Sequence, residues 1–283
     1  MRQDGKKVKN LSGLMYIVPY IMEHRHDAQN LIRQTIDLDH LHTYLRDVKS
    51  RGHHMSTFTL IIAAYLRTVS QLPYLNRFVI NRKIYARNRF SVSYVVLKEP
   101  TGAPNEDVQT NVKTYFELTD TIFDVDRKIR EDVHRNRQQS NRNKTDNLIR
   151  KIMTVPLLPR LIVSLLKAMD NWGWMPKSVL EASPFHTGLF ISNLASIRTN
   201  YIYHHLYDFG STSIFVAMGN PVRRLEMVDG KVTQKKYLPL GIVTDERICS
   251  GHDYAMAFRE FEKYIRNPWL LETPPEKVFY DET

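Results

Sequence analysis

Apolar residues along the chain follow two periods, one of helices and one of strands. Near the C-terminus, Leu240-Gly241-Ile242-Val243 is a short apolar run that predicts a buried strand. After a polar turn over residues 245–251, Tyr254, Ala257, Phe258, Phe261 and Ile265 fall on one stripe of an amphipathic helix. Ser250 is placed to cap that helix, and Pro268 follows its end. Upstream, the pattern predicts a strand over 30–37 and a helix over 37–51 with Leu38, Leu41, Leu45 and Val48 inward. Ser56 or Thr57 then caps a nearly all-apolar helix over 58–72, buried on most sides and stopped by Pro73. A hairpin turning at Asn81-Arg82 and a strand over 90–97 come next, then a loop over 98–107 and a helix over 119–137. Strands are predicted over 184–194 and 211–218, and Asp229-Gly230 marks a further hairpin. Strands and helices mix without strict alternation, which predicts an α+β fold with a mixed sheet.

Residues 1–13 are basic and poor in apolar groups and read as a mobile arm; residues 14–283 read as one domain. That domain is interrupted at about 138–183 by a helical insertion. Within it, an apolar stretch over 148–175 is dotted with charges and divided by Pro156 and Pro159 into two short helices. Trp172 and Trp174 read as part of a lid packed on the core, in preference to a peripheral membrane anchor.

Composition narrows the field. Forty basic against thirty acidic residues leave a formal charge of +10, which favours anionic partners. No phosphate loop, zinc spacing or RNA-binding motif is present, so neither nucleic acid nor metal is expected. One cysteine, Cys249, fits a reducing compartment. The polar, basic opening is unlike a secretory signal, and no uncharged apolar run approaches the ~20 residues that span a bilayer. A cytoplasmic location is expected.

The turn Asp245-Glu246-Arg247-Ile248-Cys249-Ser250-Gly251 resembles the C-terminal signature of the chloramphenicol acetyltransferase family and of the acyltransferase cores of 2-oxoacid dehydrogenase complexes. That signature reads Asp-His-Arg-x-x-Asp-Gly. Asp245, Arg247 and Gly251 match it, whereas Glu246 replaces the catalytic histidine and Ser250 the aspartate. Phe190-Ile191-Ser192-Asn193-Leu194 is similar to the family's Phe-Thr-Ile-Ser-Asn-Leu strand, and residues 211–219 to the strand beside it. The resemblance covers roughly residues 14–270. It implies a homotrimer with sites between subunits, CoA or acyl-CoA as substrate or ligand, and no covalently bound cofactor. Lipoyl and peripheral-subunit-binding domains are absent from the sequence, which therefore reads as a free-standing core.

By the same resemblance Ser192 is the oxyanion donor, while the residue types at 246 and 250 bear on acid–base chemistry. A carboxylate with a reference pKa of about 4.3 is a weak base toward a thiol or alcohol, unless burial raises it. Glu246 therefore reads either as a non-standard base or as a residue ion-paired with Arg247. His252, on the first helical turn, and His186, just before the Ser192 strand, are the nearest other imidazoles in sequence. Cys249 lacks an evident activating base and reads as a buried small residue. Loss of both the histidine and the aspartate favours a catalytically degenerate relative that binds an acyl-CoA-like ligand or assists assembly. An active acyltransferase using Glu246 and Ser192 is the alternative.

Overall fold

The computed structural model describes residues 2–97, 109–138 and 157–283. The loop expected over 98–107 and the insertion up to residue 156 lie outside the described residues. The first half of the chain runs β1 (Gly5–Lys7), α1 (Gly13–Ile21), β2 (Gln29–Asp37), α2 (Leu38–Ser50), α3 (Thr57–Gln71), β3 (Arg77–Ile80) and β4 (Lys83–Arg87). It continues through β5 (Phe90–Leu97), β6 (Gln109–Phe116), α4 (Ile122–Gln138), α5 (Leu158–Trp172) and α6 (Lys177–Ala182). The last elements are β7 (Leu189–Asn193), β8 (Ile214–Met218), β9 (Val222–Val228), β10 (Lys231–Asp245) and α7 (Gly251–Arg266).

Seven strands form a mixed sheet in the order β2-β10-β8-β7-β5-β6, with β9 pairing along the outer half of β10. Among the described residues, β8/β7 and β7/β5 are the parallel pairs. A second sheet, β1-β4-β3, is small and antiparallel. The predicted signals act where they were expected. The Asp37 carboxylate accepts from the Asp39 and His40 N–H groups at the start of α2, and the Ser56 hydroxyl accepts from Thr59 N–H at the start of α3. Asn81 and Arg82, like Asp229 and Gly230, adopt the positive φ that two-residue hairpin turns require.

Helix α3 is buried along most of its length and packs against α4 and α7. These helices cover one face of the large sheet in a single apolar core that includes Leu60, Leu66, Tyr94, Ile191, Leu240 and Phe261. The other face carries a smaller cluster of Phe190, Leu206, Phe215, Ala217 and Val243. The segment over 199–210 crosses that face as a strap. His204 stacks on Phe215 at 4.1 Å, and Leu206 is buried beneath.

Three expectations are corrected. The supposed arm is woven in: β1 pairs with β4, and Arg2 binds both Asp4 and the buried Asp170. The strands predicted over 184–194 and 211–218 begin only at Leu189 and Ile214. The residues before them spend their polar groups on a turn, in which Ser211 and Thr212 N–H both donate to Phe185 O. Pro159 sits in the first turn of α5, where the missing N–H costs nothing, so this helix begins where the prolines were expected to divide the stretch; the part before residue 157 lies outside the described residues. Finally, Trp172 and Trp174 are not packed on the core: they are 66% and 70% exposed and stack on each other. Strand β6 and helix α1 escaped the pattern reading; β6 is a polar edge strand whose inward residues, Val112, Thr114 and Phe116, alternate.

The strap fits because the sheet is glycine at its crossing points. A Cβ at Gly241 would overlap the Ile202 carbonyl oxygen. Gly241→Ala is therefore expected to destabilise the fold by about 1–3 kcal/mol, measured by urea denaturation; an unchanged midpoint would show the strap free to move aside.

Candidate functional site

The signature turn closes β10 over a buried ionic frame. Asp245 is fully buried, and Arg247 grips it with two bonds, Nε to Oδ1 and a terminal N–H to Oδ2, both 2.8 Å. A second guanidinium, Arg25, reaches Asp245 Oδ2 from the other side at 3.3 Å. Two cations on one carboxylate would be costly in a dry site, and backbone carbonyls take up the remaining donors. Arg25 donates to Tyr207 O (2.6 Å), Gly210 O (3.2 Å) and Val79 O (3.0 Å), and Arg247 to Met22 O and Glu23 O. Burial pushes the Arg25 guanidinium down from its usual range against the pull of Asp245. The main chain of Arg25 is held in turn by Asp208, whose Oδ1 accepts its N–H at 2.7 Å.

Glu246 and Ser250 have separate fates. Glu246 donates its N–H to Ala28 O and is half-buried. No hydrogen bond or ion pair reaches its carboxylate from any described residue, because Arg247 is committed to Asp245. Ser250 is exposed and caps α7: its Oγ accepts from Asp253 N–H at 3.2 Å and donates to Asp253 Oδ2 at 2.7 Å, while Asp253 accepts back from Ser250 N–H. It is a full capping box.

Ser192 lies elsewhere. Ile191 points into the helix-side core and Phe190 into the opposite cluster, so alternation sets Ser192 on the strap side. It is half-buried, with no hydrogen bond to its hydroxyl from the described residues. Ser192 is in register with Ala217, and Ala217 with Gly241. Glu246 is five residues beyond Gly241, roughly 17 Å along the strand direction, and two strands across. One chain does not bring Ser192 and Glu246 together.

The nearby imidazoles are otherwise engaged or distant. His252 is exposed on the first turn of α7. His186 is buried between Ser183 Oγ (2.8 Å) and Asp170 Oδ2 (3.1 Å), where it pins α5 to the loop before β7. Burial pushes the Cys249 thiol well above its usual range, so it stays protonated and is no nucleophile. A cleft of about 360 Å³ opens beside the frame, lined by His24, Arg25, Arg82, Lys167, Asp208 and Arg247 among others. Neither Glu246 nor Ser192 lines it. The frame arginine that sequence reading missed is Arg25, which no local pattern marks; only the pairing of β2 with β10 carries it to Asp245.

The strand order, the helix-covered sheet face and the position of the Asp245 turn define a chloramphenicol-acetyltransferase-like fold, that of the CoA-dependent acyltransferases. No family model matches the sequence, and no curated protein matches it. Solved structures do. A probable dihydrolipoamide acetyltransferase from Listeria monocytogenes is 13% identical with a TM-score of 0.55, over 93% of this chain and 95% of that one. A truncated catalytic core of the 2-oxoacid dehydrogenase multienzyme complex from Thermoplasma acidophilum is 13% identical with a TM-score of 0.56, over 93% and 99%. A chloramphenicol acetyltransferase is 11% identical with a TM-score of 0.52, over 92% and 99%. Identities this low establish the fold and leave the chemistry to the residues.

Removing the charge at the centre of the frame tests its weight. Asp245→Asn leaves two buried guanidiniums under-compensated and is expected to cost about 3–5 kcal/mol, read as a fall in the urea midpoint. A change below 1 kcal/mol would mean that the carbonyls alone hold both arginines.

Proposed function

We propose that this protein is a degenerate member of the CoA-dependent acyltransferases, one that binds an acyl-CoA-like ligand or serves assembly without histidine-dependent acyl transfer. The observation that carries this reading is the split fate of the two substituted positions. Ser250 spends its hydroxyl on a helix cap, and Glu246 offers a carboxylate where the signature calls for imidazole. Asp245 and Arg247, which match the signature, sit with Arg25 in a complete buried frame, and this supports a scaffold that outlasts the proton-transfer chemistry. The surplus of basic residues, a formal charge of +10, favours an anionic ligand such as CoA. The protein is taken to work in the cytoplasm.

One observation keeps the alternative in play: the Glu246 carboxylate is free of ion pairs and half-buried, the setting in which a carboxylate serves as a base. Thiol release from acetyl-CoA and longer acyl-CoAs, measured from pH 5 to 9 for the native protein and Glu246→Gln, separates the two. The degenerate reading expects background rates in both, together with thermal stabilisation by CoA, about 2.7 kcal/mol at one hundred times Kd. Turnover that Glu246→Gln lowers by about 10²–10⁴ would assign the base to Glu246 and defeat it.

The separation of Ser192 from Glu246 within one chain favours a site shared between subunits, and hence the trimer that the resemblance implies. The hairpin of β9 and outer β10 supports this, since it leaves Leu225, Met227 and Val232 exposed as a natural arm for a neighbour. Light scattering is expected to give three times 33.3 kDa, and Leu225→Lys with Met227→Lys to shift it toward the monomer. A native monomer at micromolar concentration would remove the shared site.

A further inference from the structure

Helix α5 is lightly held. Asp170 is its one buried residue, whereas α7, of similar length, buries Tyr254, Ala257, Phe261, Tyr264 and Ile265. On the side of Asp170, Leu158, Ile162, Leu166 and Met169 are only half-buried. On the opposite side Leu161, Leu165 and Trp172 are exposed. So little apolar surface leaves water here that packing alone gives α5 a weak hold.

What fixes it is a buried ionic contact. Arg2 donates to Asp170 Oδ1 at 2.9 Å and also to the Asp170 carbonyl, and His186 Nε2 meets Asp170 Oδ2 at 3.1 Å. None of these three side chains is more than 6% exposed. A contact so desolvated is either made or broken, because a single lost partner leaves charge buried and unpaired. Arg2 is itself fixed by Asp4 and lies 5.3 Å from the Phe78 ring.

Both ends of α5 turn through the left-handed region: Leu157 before it at φ 64° and Gly173 after it at φ 73°. A leucine held there is strained, and glycine is the residue that turns most freely. Met175, two residues beyond Gly173, is buried again. Gly173 thus lies between a lightly held helix and an anchored segment, the place of a hinge. Helix α5 is also a wall of the cleft of about 360 Å³, which Lys167, Asp170 and Asn171 line together with Arg25 and Arg247 of the frame.

We infer that α5 is a gate on this cleft, shut by the Arg2–Asp170–His186 contact and turning at Gly173 when that contact parts. Opening removes one wall of the cleft beside the frame arginines. This goes beyond the acyltransferase reading and does not depend on it. Two measurements on the full chain test it. A 15-residue helix is marginal once detached, so opening bares its amides. Residues 158–172 are expected to exchange hydrogen at least about a hundredfold faster than residues 251–266. Nitroxide labels at Ser164→Cys on α5 and Lys83→Cys at the start of β4, both exposed positions, report the swing by electron–electron resonance; Cys249 is buried and stays unlabelled. Asp170→Asn is expected to turn a narrow distance distribution into a broad, longer one, and Arg2→Gln to shift it the same way. Amides of α5 as slow as those of α7, or a distance unmoved by both variants, would overturn the gate. Protection lost equally from α3, α5 and α7 in the variants would overturn it too, since the contact would then serve the whole fold.

Discussion

The Asp245 carboxylate, gripped by Arg247 and Arg25, is the constraint on which this end of the molecule depends. Through those guanidiniums it reaches the carbonyls of Met22, Glu23, Val79, Tyr207 and Gly210, drawing together the end of α1, the end of β3, the strap and the close of β10. The Tyr254 hydroxyl adds the start of α7 by donating to Asp245 O. Segments far apart in sequence are thus fixed by one buried charge. Loss of a partner there costs far more than loss of a surface pair.

Much of this fold was legible before any coordinates. Apolar periodicity marked α2, α3 and α7, the capping residues Asp37, Ser56 and Ser250 marked their starts, and Asn81-Arg82 and Asp229-Gly230 marked two hairpins. The signature around Asp245 pointed to the fold itself, through a match at three positions. What stayed hidden was set by tertiary pairing. Arg25 has no local signature, and β6 hides its inward Val112, Thr114 and Phe116 among polar residues. The strap over 199–210 has no regular structure from which to predict it.

The misread segments share a physical cause. Recurring apolar side chains read as buried, and the sequence therefore makes Trp172 and Trp174 part of a lid. In α5 the stripe faces outward, while one charged residue, Asp170, anchors the helix inward. The basic opening failed in the mirror sense: charge suggested freedom, yet Arg2 is the anchor's partner and Lys6 and Lys7 ride on a paired strand. Burial follows partners as much as polarity.

The cap at Ser250 limits which side chains position 250 can carry. Ser250 Oγ donates to Asp253 Oδ2 at 2.7 Å. An aspartate at position 250 would cap the helix equally well in isolation, but here it would set two carboxylates within hydrogen-bonding distance of each other. One would have to hold a proton or swing away. Ser250→Asp alone is therefore penalised until position 253 also changes, so the capping box works as a ratchet: an aspartate at 250 takes two coordinated steps.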